Sequence, residues 1–126
     1  NKENPIYYIQ YSYARTQSVL NKTNKIIDTQ VLVTSELKNL YKKLLEWENV
    51  IKSAYQKKEV HLIAHYLESL SSYFHTLWSS SKNNPKAKFL DKDNNISSDL
   101  HKLLCNYQNV LKDGLKILGI KPKLQM

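Results

Sequence analysis

The scarcity of residues that break helices is the feature that most limits the folds open to this chain. Its 126 residues include only two glycines and three prolines. Because short strands need frequent turns, this shortage favours a few long helices over many strands. The length suits one domain that buries roughly two-thirds of its unfolded surface. We therefore predict a single all-α domain over residues 1–126.

Apolar side chains recur every three or four residues in four segments, which is typical of amphipathic helices. The first helix is predicted from Pro5 to about residue 22, with Asn4 as its N-cap. The second is predicted as one continuous helix over residues 35–58, with lysines on its outer face. The third covers residues 59–80, and its wide apolar arc predicts a central position in the bundle.

The remaining segments connect these helices or end the chain. Residues 21–34 are ambiguous, because their β-branched residues fit either an extended connection or a short helical piece. Residues 81–95 are polar and form the one long loop. A last helix is predicted from Ser97 or Ser98 up to Gly119, which occupies the position of a left-handed C-terminal residue. The sum is a helical bundle of about four main helices with one long loop.

The charge of the chain indicates a polyanionic partner. The net charge is +8 and the isoelectric point is near 9.5. Nucleic acid is the first candidate and an acidic membrane surface the second, although charge alone also fits simple solubility. We expect no membrane span and no signal peptide, because no apolar run is long enough for a span and no leader pattern is visible. The single cysteine, Cys105, cannot form an internal disulfide, which fits either a reducing compartment or no selection on cysteine at all.

The first helix carries an unusual outer face. At about 100° per residue, one side of it is apolar and the other is aromatic and cationic. The apolar side comprises Ile6, Ile9, Tyr13 and Leu20, with Gln10 and Gln17 beside them, and the opposite side comprises Tyr8, Tyr11, Arg15 and Val19.

Arg15 is the only arginine among 19 basic residues, and two interpretations of it stay open. In the first, its guanidinium stacks on Tyr11, four residues earlier, and the pair only braces the helix. In the second, the rings stack on unpaired bases while the guanidinium makes planar, paired hydrogen bonds that a lysine cannot reproduce.

Other chemistry-bearing patterns are weak. His61 and His65 share a helix face, but a zinc site needs a third ligand, so we expect no metal site. His75 is interpreted as a satisfied, half-buried histidine. With no glycine-rich phosphate loop and no nucleophile elbow, we expect no catalytic residue and no cofactor site in this chain.

Three segments share motifs with a known family. They are NPIYYIQYSYARTQSVL (residues 4–20), HYLESLSSYFHTLW (residues 65–78) and VLKDGLKILGIKPKLQM (residues 110–126). In order and spacing they resemble the anticodon-binding domain of arginyl-tRNA synthetase, and the likeness covers nearly the whole chain.

This resemblance implies a C-terminal fragment of a larger class I synthetase. Its partners would be the anticodon stem-loop of tRNA(Arg) and its own catalytic domain, which would use ATP and Mg and whose signature motifs this sequence lacks. We expect a cytoplasmic monomer that does not bind membranes. The residues expected to bind RNA are Tyr8, Gln10, Tyr11, Arg15, Lys121, Lys123 and Met126. The alternative is a basic helical module that binds acidic membranes or a protein without reading bases.

Overall fold

The computed structural model describes residues 4–126, and most of them are helical. The five α-helices are α1 (Pro5–Lys22), α2 (Ser35–Leu44), α3 (Trp47–Lys57), α4 (His61–Asn83) and α5 (Ser98–Ile117). A short 3-10 helix, Pro85–Ala87, follows α4. Two short strands, β1 (Ile26–Ile27) and β2 (Ile96–Ser97), pair in parallel. The predicted all-α bundle is confirmed, with this small sheet in addition.

Helix α1 begins as its sequence predicts. The Asn4 side chain accepts hydrogen bonds from the backbone N–H groups of Ile6, at 3.0 Å, and Tyr7, at 3.4 Å. Pro5 follows in the first turn, where its missing N–H costs nothing. The prediction was wrong for Val19, which was assigned to the outer face but is only 6% exposed. Because α1 packs against both α4 and α5, its buried arc is wider than one apolar stripe.

The predicted second helix is broken, and the prediction of one continuous helix was therefore wrong. Helix α2 ends at Leu44 and α3 begins at Trp47. Tyr66 of α4 explains part of the break, because its hydroxyl donates to the backbone carbonyl of Lys43 at 2.5 Å. Its ring also stacks on the Trp47 ring, with centroids 5.6 Å apart. One tyrosine thus contacts the end of α2 and the start of α3.

Helix α4 is central, as predicted, and it contacts all four other helices. Its Phe74 ring stacks on Tyr107 of α5 with a centroid distance of 4.7 Å. The Tyr107 hydroxyl donates to the Ser12 hydroxyl at 2.7 Å, which joins α5 to α1. Tyr73 has a spacing that fits the apolar arc predicted for this helix, but it is 38% exposed.

The ends of α1 and α5 direct the connecting segments. After α1, which includes residues 21 and 22, the chain forms β1 and has no helix up to Thr34, so a connection and not a helical piece occupies the rest of the ambiguous segment. Gly119 has φ of +76°, as expected of a left-handed residue after a helix. Its N–H donates to the carbonyl of Lys116 at 2.9 Å, and that of Ile120 donates to Leu115 at 2.8 Å. This turn leads residues 121–126, called the tail below, along α1.

Within residues 4–126, no helix combines the length and apolar character that crossing a bilayer requires.

Candidate nucleic-acid interface

The side chain of Arg15 is half-buried between aromatic rings from two helices. Its guanidinium carbon lies 4.3 Å from the ring centroid of Tyr11 and 4.8 Å from that of Trp78. Nη2 donates to the Tyr11 hydroxyl at 2.8 Å, and Nη1 lies 3.3 Å from Nδ1 of His75. A guanidinium has five N–H groups, so these contacts leave three for another ligand.

Arg15 has no carboxylate partner within the part of the chain that the structure describes. A half-buried cation is normally paired with an acid, because removing its hydration is costly. Here, stacking on Tyr11 and Trp78 replaces only part of that hydration. The guanidinium is therefore held in place with its charge available to an anionic ligand.

His75 contacts Arg15 but carries no positive charge that would attract an anion itself. Burial first, and the nearby charge of Arg15 second, lower the pKa of His75 from 6.5 to about 4. The ring is therefore neutral at physiological pH. Because Nδ1 accepts from Arg15, the proton lies on Nε2, a buried atom with no hydrogen-bond partner among residues 4–126. Tyr8 packs on the same ring, with centroids 4.4 Å apart.

Trp78 connects Arg15 to a second cation on α4. The Nζ atom of Lys82 lies 5.4 Å from the Trp78 ring centroid, and Arg15 also approaches that ring. Phe89 packs edge-on against the same indole, with centroids 5.7 Å apart. Neighbours from three segments thus contact Trp78. They hold its ring in the position against which Arg15 stacks.

A groove of about 520 Å³ separates the tail from the flank of α1 that carries Arg15. Its size falls within the range of roughly 300–1,000 Å³ that is usual for small-molecule sites. Tyr11 and Arg15 line one wall and the last three residues of the tail line the other. The full lining is Tyr11, Ala14, Arg15, Ser18, Asn21, Lys22, Leu124, Gln125 and Met126.

Gln10 lies behind the groove and holds the tail. Its side chain is buried, and both ends of its amide are engaged. Nε2 donates to the carbonyl of Lys121 at 3.1 Å, and Oε1 accepts from the N–H of Lys123 at 2.6 Å. Two backbone groups of the tail are thereby attached to the first helix.

The predicted site residues therefore occupy three kinds of place. Tyr11, Arg15 and Met126 meet at the groove, whereas Tyr8 lies against His75. Lys121 and Lys123 are exposed at the start of the tail, and Gln10 is buried beneath them. The sequence analysis did not assign His75, Trp78, Lys22 or Lys82 to the site.

One sequence signal marks this side of the molecule. Residues 5–25, 69–90 and 114–126 contain nine of the 19 lysines and arginines and none of the 11 aspartates and glutamates. The other residues carry ten basic and eleven acidic side chains and are nearly balanced. The three acid-free segments contribute α1, the second half of α4, and the tail. The excess positive charge is therefore concentrated in the segments that build the groove and its surroundings.

Comparisons with known proteins agree over the whole chain. Residues 9–126 match the family described as the DALR anticodon binding domain. The chain is 35% identical to the arginine–tRNA ligase of Pelagibacter ubique, an alignment that covers 100% of this chain and 23% of that ligase. The chain thus spans about a quarter of the length of that relative.

Two solved structures have the same fold. A protein from Campylobacter jejuni, assigned as an arginyl-tRNA synthetase, superposes with a TM-score of 0.77 and 26% identity over 100% of this chain and 27% of its own. The Thermus thermophilus arginyl-tRNA synthetase superposes with a TM-score of 0.74 and 24% identity, over 94% of this chain and 21% of its own.

Proposed function

We propose that this chain, which belongs to the DALR anticodon-binding domain family, binds the anticodon arm of tRNA(Arg) in the groove between α1 and the tail. The observation that carries this proposal is Arg15, a half-buried guanidinium with three free N–H groups and no acidic partner within residues 4–126. A planar, preorganised donor of this kind suits a phosphate or a base edge.

The walls of the groove suit unpaired bases. Tyr11 offers an aromatic ring and Met126 an apolar side chain on the opposite wall. Stacking of a base on an aromatic side chain is worth roughly 1–3 kcal/mol and needs no particular base. In this proposal Tyr11 and Met126 enclose a base, and Tyr8 supports Tyr11 through His75.

Lysines around the groove would hold the phosphates. Lys22 lines the groove itself, and Lys82 contacts the Trp78 ring, on which Arg15 also stacks. Lys121 and Lys123 are exposed at the start of the tail. Because no aspartate or glutamate occurs in these three segments, no nearby carboxylate from them would compete with RNA for these cations.

We extend the proposal to the protein that contains this chain. The relatives that it matches are arginine–tRNA ligases about four times as long as the aligned region. We propose that the chain is the C-terminal domain of such a ligase, packed against a catalytic domain that arginylates tRNA(Arg) with ATP and Mg. The anticodon domain would then contribute binding and no chemistry, and we propose that the ligase acts as a monomer in the cytoplasm.

The test compares two RNAs on the intact protein. We expect a tRNA(Arg) transcript to bind more tightly than the same transcript with the middle anticodon base changed. The logarithm of the affinity should also fall with the logarithm of salt concentration, by about 0.7–0.9 for each phosphate contacted.

Vesicles with an acidic lipid surface serve as the control partner. Equal binding of both transcripts, together with strong binding to these vesicles, would favour the alternative of a basic module without base reading. A flat salt response would contradict the proposed phosphate contacts.

A further inference from the structure

Among residues 4–126, the buried amide of Gln10 is the one side chain of α1 that makes hydrogen bonds to the tail. It donates to Lys121 and accepts from Lys123, so it holds the backbone on both sides of Pro122. Within residues 4–126, no other hydrogen bond joins residues 121–126 to the rest of the chain. The second wall of the groove is therefore attached by hydrogen bonds at Gln10 alone.

We propose that Gln10 is a positioning residue, which orders the tail as a wall of the groove and acts on RNA only through the tail. This inference rests on the proposed function. Gln10 is only 6% exposed and does not line the groove, so it has no route to a bound base. Its two hydrogen bonds to the tail allow it to affect RNA binding indirectly, through the position of the tail.

The physical basis is the cost of ordering a short terminal segment. The last three residues of the tail line the groove, yet they are exposed. A free segment loses conformational entropy when it closes on a ligand, and that loss weakens binding. A tail already held at Lys121 and Lys123 has lost part of that entropy before RNA arrives.

The Gln10 amide makes both bonds at once because it has a donor N–H group and an acceptor oxygen at the end of one side chain. A carboxylate at position 10 would accept from Lys123 but would face the carbonyl of Lys121 with a second acceptor. A methionine of similar length would fill the same space with neither bond. Gln10→Met is therefore a conservative way to remove both bonds of the attachment, whereas Lys123→Pro removes one of them by deleting the donor N–H.

The experiment measures tRNA(Arg) affinity for five forms of the intact protein: the natural one, Gln10→Met, Lys123→Pro, the double variant and Lys123→Ala. Gln10→Met should lower affinity by about tenfold, and Lys123→Pro by up to about tenfold relative to Lys123→Ala. Relative to Lys123→Ala, the double variant should lose no more than Gln10→Met loses relative to the natural protein. Lys123→Ala is the matched control, because it keeps the N–H while removing the charge. Comparing it with Lys123→Pro isolates the backbone bond.

A second measurement reports on the tail without RNA. Hydrogen–deuterium exchange of the C-terminal peptide should become faster in Gln10→Met, because the N–H of Lys123 loses its acceptor. Thermal unfolding of both single variants verifies that the bundle remains folded. Position 123 is exposed, so Lys123→Pro keeps the test informative even where Gln10→Met unfolds the domain.

Three results would overturn the inference. A double variant that binds about a hundredfold more weakly than Lys123→Ala would mean that Gln10 contacts RNA independently of the tail. Unchanged exchange in Gln10→Met would mean that it does not order the tail. Faster exchange with unchanged RNA affinity would mean that tail order is irrelevant to binding. A natural protein that binds no tRNA would instead remove the proposed function, and exchange would still decide whether Gln10 holds the tail.

Discussion

Two sides of this bundle carry lysines, but their surroundings differ. On the side of α1, the second half of α4 and the tail, the cations have no acidic neighbours in sequence, and the one arginine sits between aromatic rings. On the side of α2 and α3, residues 35–59 combine six lysines with four glutamates, and Lys43 pairs with Glu46 at 3.2 Å. Similar numbers of cations therefore produce one side with unopposed charge and one that is nearly neutralised.

The comparison teaches that the position of the acids, more than the number of bases, distinguishes a candidate polyanion surface. Exposed lysines beside glutamates are already screened by their neighbours and by salt. Arg15 differs from them because burial and stacking fix its geometry while its charge is not paired with a carboxylate. The predictions below change one side at a time.

The largest expected effect is at Arg15. Arg15→Lys should lower tRNA affinity by roughly 30-fold, because losing paired hydrogen bonds from a charged donor costs about 2 kcal/mol. Lys57→Ala on α3 should leave affinity unchanged. Binding titrations and circular dichroism measure affinity and helicity separately. A variant that unfolds while its folded fraction keeps full affinity would show that Arg15 only braces the helix.

Reversing one charge on each side gives the next largest effect. Lys82→Glu places a carboxylate beside Trp78 in an acid-free segment and should lower tRNA affinity by about tenfold. Lys52→Glu makes the same change on α3, where glutamates already occur, and should alter affinity by less than about twofold. Titrations at low and moderate salt test this difference. Equal losses at both positions would mean that only the net charge matters.

His75 should give the groove side a pH dependence of stability. Its pKa is about 4 in the folded protein, below its ordinary value of 6.5. Below pH 6.5 the unfolded chain therefore binds more protons, and the free energy of unfolding falls as the pH drops toward 4.

His75→Gln should remove this part of the pH dependence, and His65→Gln, at an exposed position of the same helix, should not. Urea unfolding at pH 7, 5.5 and 4 measures both variants. If the free energy of unfolding depends on pH equally in the natural protein and in His75→Gln, the lowered pKa of His75 is contradicted.

The smallest effect is expected on the side of α2 and α3. Glu46→Gln removes the partner of Lys43, and the Glu46 side chain is 53% exposed. A partly exposed pair of this kind contributes about 0.5 kcal/mol, so the unfolding midpoint should move little. A larger loss in urea unfolding would show that this side is held together by its charges.

The sequence predicted the features that depend on neighbouring residues. Periodicity located the helices, and local residue preferences located the Asn4 cap and the turn at Gly119. The sequence analysis failed where the local structure depends on a side chain that is distant in sequence. The break after Leu44 involves the hydroxyl of Tyr66, 22 residues further along the chain, and no local pattern contains that contact.

The candidate site divides in the same way. Tyr11 and Arg15 were assigned together because four residues separate them on one helix. His75 and Trp78 were not, because a single helix cannot reveal which face its partner will cover. The contact of Gln10 with the tail joins positions more than a hundred residues apart, and only the folded chain brings them together.

The acid-free segments also bear on how a partner would arrive. Charge gathered on one side of a small domain gives it an electric dipole, and that dipole turns an approaching polyanion toward the groove before contact. Salt should then slow association far more than it speeds release, since long-range attraction is screened first. The uneven charge distribution would therefore be detected in the association rate constant and its salt dependence more than in the final affinity.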